Sequence, residues 1–215
     1  MGLNHHIFQR LLAVAVIGLL LAVSSPAAAD GDDETTLQER FASKEGRLYA
    51  QLGGQALIRD DFYFSPGIGA DVGYYFNEQW GAELRGAWYF SRLSHTGEQM
   101  AEDHGFAPDM RAPDAAVTAG ARYSWGYGKV LATGDFLVHF DPQLVASAGV
   151  TFAEERVVPT VNTGVGFLAH WRFGFRTQLD LQASVHVEQR DRGWIPAFGF
   201  APVLSVGWSP PAGGF

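Results

Sequence analysis

His139, Asp141 and Ser147 are the residue types from which a nucleophilic hydrolase is built. Serine attack needs a histidine to take the proton, a carboxylate to orient that histidine, and an oxyanion hole, all converging in space. Here the three residues share one face of one short stretch. A single strand sets them in a line, which is poor geometry for a triad, so no enzymatic site is expected. A second set, His95, Glu98, Glu102, Asp103, His104 and Asp109, has metal-ligating types. It lacks tight ligand spacing, and no metal is expected. The pieces Gly67-Ile68-Gly69 and Gly164-Val165-Gly166 sit inside alternating segments and make no phosphate loop, so no cofactor is expected either.

The remaining chemistry is charge. Asp71, Glu83, Arg85, Arg122, Arg172, Arg176 and Asp180 each fall on the polar side of a segment that alternates apolar and polar residues. Glu83 and Arg85 are placed to pair with Asp71 and Arg122 on neighbouring segments, and Arg176 and Asp180 to do the same across the interior. Unpaired charges in a tight interior are costly. The expectation is a salt-bridged plug in a narrow lumen rather than an open pore.

The elements that position these charges have a period of two. Leu48–Ile58, Phe64–Phe76, Trp80–Phe90, Ala115–Trp125, Leu144–Phe152, Val161–Phe167, Phe173–Val187 and Phe198–Trp208 all alternate, which is the mark of a strand with one apolar and one polar face. Between them no helix-period segment is apparent, so βαβ architecture is not expected. Asn77–Gln79 and His170–Arg172 read as short turns. Arg92 to Pro113 reads as a long polar loop. Gly126 to Asp141 reads as a bent or extended connection, because Pro142 interrupts the pattern and lacks a ladder donor.

Which face meets water decides the class. Many of the segments are longer than the roughly 5–6 residues of soluble strands and match the roughly 9–11 that a membrane strand needs. Aromatic residues gather at segment ends, as interfacial girdles require. The polar faces mix Gly, Ser and Gln with charge, which suits the lumen of an eight-stranded barrel. The connections after the odd-numbered strands share one end, the expected outer face. The N-terminal arm and the C-terminus lie at the other, periplasmic end.

Composition agrees. Charged residues are 18%, Gly numbers 26 and Cys 0, with aromatic residues at 13%. The absence of Cys excludes disulfides, Cys-ligated zinc and thiol nucleophiles. A net charge of −8 gives no basic footprint, so nucleic acid is not an expected partner. His5, His6 and Arg10, then the apolar run Leu11–Val23, then Ala27-Ala28-Ala29, have the parts of a secretory signal peptide. The expected organisation is residues 1–29 signal peptide, 30–46 flexible acidic arm, 47–209 barrel and 210–215 tail.

The stretches Tyr75-Phe76-Asn77, Trp80-Gly81-Ala82-Glu83-Leu84, Tyr127-Gly128-Lys129, His139-Phe140-Asp141 and Ala148-Gly149-Val150 resemble a family of small outer-membrane β-barrel domains of myxobacterial type. The broader architecture is similar to small OmpA-type barrels. The resemblance covers roughly Arg47 to Trp208 and implies an exported barrel of about eight strands with no enzymatic site. The chain departs from the family pattern at Pro142-Gln143 and at Gln182-Ala183-Ser184.

The expectation is therefore an all-β, eight-stranded antiparallel transmembrane β-barrel in the cell outer membrane, with a structural or surface-interaction role. Its expected partner is outer-membrane lipid, and the outer loops or the N-terminal arm offer a place for an envelope protein. The alternative is a soluble periplasmic lipocalin-like carrier, whose apolar face would point inward around a ligand. A lipid-modifying outer-membrane enzyme is third.

Overall fold

The computed structural model describes residues 43–59, 63–104, 112–131, 137–154, 156–190 and 193–210. The expected signal peptide and all but the last four residues of the arm lie outside the described residues, as do 211–215 of the tail. Eight long strands follow in chain order with two short ones between: β1 (Arg47–Arg59), β2 (Tyr63–Tyr75), β3 (Trp80–Tyr89), β4 (Arg92–Leu93), β5 (Pro113–Ser124), β6 (Gly128–Leu131), β7 (Leu137–Ala153), β8 (Arg156–His170), β9 (Phe175–Arg190) and β10 (Gly193–Trp208). Each long strand pairs antiparallel with the next, and β1 pairs with β10 as well as β2. The sheet is closed into an eight-stranded barrel, so no long strand is left as an open edge.

Alternation decides which side chains go inside. In β1, Tyr49, Gln51 and Leu57 are buried, while Leu48, Leu52 and Ile58 are exposed. Around the barrel the charged face turns inward and the apolar face outward. Arg122 and Asp180 are 0% exposed, whereas Leu52 is 72%, Trp88 62% and Phe198 63% exposed. Outward aromatics form two groups. Tyr74, Phe76, Trp80, Phe175 and Trp208 lie at the end holding the β2–β3 and β8–β9 turns, and Trp88, Phe90, Phe152 and Phe198 lie toward the other end.

Several expectations need correction. The loop after β3 contains a helix, α1 (His95–His104). Ser94 starts it: its carbonyl accepts from Glu98 N at 2.9 Å and its Oγ from Gly97 N at 3.3 Å, as an N-cap does. Glu98 favours the same first turn. No apolar stripe announces this helix, so a reading based on hydrophobic period passes over it. Phe173 does not begin a strand. It sits in the Arg172–Gly174 turn with φ 61°, and Gly174 follows with φ 79°. Arg172 is thus a turn residue rather than a strand residue, and its side chain lies outside the described residues.

Pro142 does not break its strand. β7 runs through it, with Pro142 paired to Phe167 of β8. On its other side β7 pairs first with β6, Gly128–Leu131 against Leu137–Phe140, and then with β5. Trp125 N donates to Pro142 O at 3.3 Å, on the β5 side. An extended residue points its N and O the same way, so the missing N–H of Pro142 faces the junction where β7 changes partner. Pro66 is placed likewise: its carbonyl accepts from Phe90 N at 2.7 Å, where β3 has ended. Pro159 stands where the β8–β9 ladder stops, just beyond Thr160↔His186. Pro202 is the exception. It lies within the β1–β10 ladder, and the pairing skips Ala56 and Leu57 between Gln55↔Val203 and Ile58↔Phe200.

Candidate functional site: a charged septum inside the barrel

Midway along the barrel, β2, β3, β5 and β9 each present charge to the interior, because Asp71, Glu83, Arg85, Arg122 and Asp180 all occupy inward positions. The register brings them together: Asp71 pairs with Arg85 across β2–β3, and Glu83 sits beside Arg122's strand across β3–β5. Arg85 Nε donates to Asp71 Oδ1 at 2.6 Å, and its Nη2 to Asp180 Oδ2 at 2.8 Å. Arg122 Nε donates to Glu83 Oε2 at 2.6 Å, and Nη2 to Glu83 Oε1 at 2.9 Å. Across the barrel Arg122 also reaches both oxygens of Asp180, at 3.1 and 2.7 Å. Asp180 is the hub, held by two guanidiniums at once.

Neutral polar groups complete the set. Tyr49 Oη donates to Glu83 Oε2 at 2.7 Å, and Gln178 and Gln182 donate to Asp180 Oδ2 at 3.0 and 3.3 Å. Ser205 Oγ donates to Asp71 at 3.3 Å. Arg176 does not pair with Asp180. Its guanidinium lies 3.8 Å from the Tyr49 ring centroid and donates to Gln178 Oε1 at 2.9 Å. Asp71, Glu83 and Asp180 balance Arg85, Arg122 and Arg176 in formal charge. Such an arrangement repays the cost of desolvating ions only through close, well-hydrogen-bonded geometry. All six charged side chains are buried at this level of the interior.

The polar layer continues toward the end where β1 begins and β10 ends. Gln143 Nε2 donates to Tyr75 Oη and Ser124 Oγ, both at 3.0 Å. Below it Asp141 Oδ2 meets Lys44 Nζ at 2.5 Å and His170 Nε2 at 3.2 Å. Toward the other end, a cavity lined by Gln55, Thr118, Thr151, Asn162 and His186 stands above the septum. His186 bridges Thr160 Oγ1 at 3.0 Å and Ser184 Oγ at 2.9 Å.

The hydrolase-type residues do not converge. His139 Nδ1 bonds Tyr127 Oη at 2.6 Å, Asp141 is held by Lys44 and His170, and Ser147 Oγ accepts from Asn162 at 3.3 Å. Six residues of strand separate Asp141 from Ser147, about 20 Å. In α1, His95 Nε2 lies 3.2 Å from Gln99 Nε2. Asp109 lies outside the described residues, and among those described no group of three His, Asp or Glu is placed to hold a metal. Tyr49, Tyr75, Gln143 and Gln178 were readable as inward from the alternation, but not as members of the network. Lys44 had no sequence signal, because it precedes the first alternating segment.

No family model and no curated protein sequence matches the chain. Among solved structures it is similar to Ail, the attachment invasion locus protein of Yersinia pestis, at 18% identity and TM-score 0.38, covering 77% of this chain and 99% of that one. The same protein in complex with the heparin analogue sucrose octasulfate gives the same values. The N-terminal β-barrel domain of Pseudomonas aeruginosa OprF is similar at 11% identity and TM-score 0.37, with the same coverage. The barrel described above rests on the chain's own strand pairing.

Proposed function

We propose that this chain is an outer-membrane β-barrel protein with a closed or very narrow lumen and a structural or surface-interaction role, of the small OmpA-like kind and of myxobacterial type. One observation carries the reading: the barrel is inside out for water, with ion pairs at its axis and a continuous apolar wall outside. Outward Trp80 and Phe90 are ten residues apart, about 34 Å along a strand and roughly 26 Å once tilted, which matches the height of a lipid-facing band. Its partners in this reading are outer-membrane lipid and an envelope protein met through the outer loops or the N-terminal arm. A lipocalin-like carrier requires the opposite polarity, and the charged septum occupies the space its ligand would need.

Cell fractionation tests the location. The protein is expected in the detergent-extracted envelope, with heat-modifiable migration on a gel. Recovery in the soluble periplasmic fraction without detergent would end the reading. Planar-bilayer recording tests the lumen: no steady conductance is expected, and stable open channels lost in Arg122→Ala would make it a pore.

A further inference from the structure

The barrel's mouth at the end where β1 begins and β10 ends is filled by a residue from outside the barrel strands. Lys44, three residues before β1, is 3% exposed. Its Nζ lies 2.5 Å from Asp141 Oδ2, donates to Ser124 Oγ at 2.8 Å, and stands 5.1 Å from the Tyr75 ring centroid. A carboxylate, a hydroxyl and an aromatic face are what a compact, strongly hydrated ammonium needs when it leaves water. The backbone is strapped separately. Glu78 Oε1, in the β2–β3 turn, accepts from Ser43 Oγ at 2.5 Å, Lys44 N at 3.0 Å and Glu45 N at 3.3 Å. The strap holds the segment and the pocket holds the charge.

The pocket has unused capacity. Asp141 is 1% exposed, and its Oδ1 is buried with no hydrogen-bond partner among the described residues. A buried acceptor left open is unusual and costly. It shows that Lys44 does not exhaust the site. Arg176, also facing Tyr75 at 5.6 Å, already fills the neighbouring space on the septum side.

We propose that this mouth is a recognition site for primary alkylammonium groups, which Lys44 occupies in cis. An amine with a short unbranched stem can take the place of Lys44 when the strap is withdrawn. Asp141 and Ser124 bind the ammonium, Tyr75 covers it, and the orphaned Asp141 oxygen accepts its third proton. The inference stands on the geometry of the pocket and does not depend on the membrane reading.

The natural absence of cysteine makes the test clean. Gln143→Cys places a single thiol one layer inside the pocket, and its rate of modification by an anionic methanethiosulfonate is measured in the full chain. Modification is expected to be at least tenfold faster with Lys44→Ala or Lys44→Met than with Lys44 present. Millimolar n-butylammonium is expected to slow the Lys44→Ala protein back toward the parent rate, while n-butanol and tetramethylammonium do not. Equal rates with and without Lys44, or protection by n-butanol as strong as by n-butylammonium, would overturn the proposal. If Gln143→Cys does not fold, the unfolding temperature of Lys44→Ala in detergent serves instead. A rise with n-butylammonium and none with n-butanol supports the site, and no rise sinks it.

Discussion

Gly166 of β8 faces Asp180 of β9 across their ladder, and the hydrogen that stands in for a side chain makes room for the septum's hub. A β-carbon built on Gly166 would sit 2.5 Å from Asp180 Oδ1 and 3.4 Å from Arg122 Nη1. The carboxylate is held there by two guanidiniums and cannot step aside without breaking their bonds. Gly166→Ala is therefore expected to cost about 1–3 kcal/mol, the usual range for overpacking. The check is the temperature at which the heat-modifiable band shifts, which should fall. An unchanged temperature would mean that the septum is looser than its distances imply.

Arg122 serves Glu83 and Asp180 together. Arg122→Ala leaves Glu83 and Asp180 to share Arg85, which already holds Asp71, and should destabilise by about 3–5 kcal/mol. Replacing Arg122 and Glu83 together with apolar residues of similar volume keeps Asp71 and Asp180 balanced against Arg85 and Arg176 and should recover much of the loss. Denaturant titration of the single and double variants in micelles measures both. A double variant no more stable than the single would contradict the account.

The outer wall distinguishes membrane from water by a single substitution. Leu84 is an exposed residue near the middle of the outward face of β3. In water, Leu84→Arg at such a site would change stability by no more than about 0.5 kcal/mol. In lipid an arginine near the midplane costs roughly 2–4 kcal/mol. Unfolding from liposomes is expected to show the larger figure, and a near-zero effect there would remove Leu84 from the bilayer.

Pro202 offers a gain. Pro202→Ala restores a donor opposite Ala56 in the interrupted β1–β10 ladder. One added hydrogen bond contributes about 0.5–1.5 kcal/mol, offset in part by the freer unfolded chain. Amide exchange at Ala56 should slow in the variant. Unaltered exchange would show that the ladder is interrupted for some other reason.

The strands and the inward placement of the charges were legible because both follow from a period of two, which Leu48–Ile58 or Trp80–Phe90 displays without help from any other part of the chain. Which charges touch was less legible. Arg85 with Asp71 is a cross-strand neighbour and follows from register, but Arg122 with Asp180 spans the barrel and depends on closure. Arg176 looked like an ion-pair partner and instead stacks on Tyr49, a contact set by barrel diameter. Helix α1 escaped notice because a polar helix carries no apolar period and declares itself only through Ser94. Pro142 looked like an interruption because a missing donor matters only if the ladder needs it there. Lys44 was invisible because its partners, Asp141 and Glu78, come from other parts of the sequence.

The interrupted β1–β10 seam bears on the order of assembly. Most neighbouring long strands can zip up as hairpins joined by short connections, but β1 must wait for β10, some 150 residues later by strand numbering. Closing so long a loop carries the largest entropic cost of any pairing in the chain, and it brings its reward last. The gap at Pro202 lowers that reward further. A late, weakly cemented joint gives the curved sheet time to stay open until every hairpin has formed. Amide exchange should find the same joint first to yield.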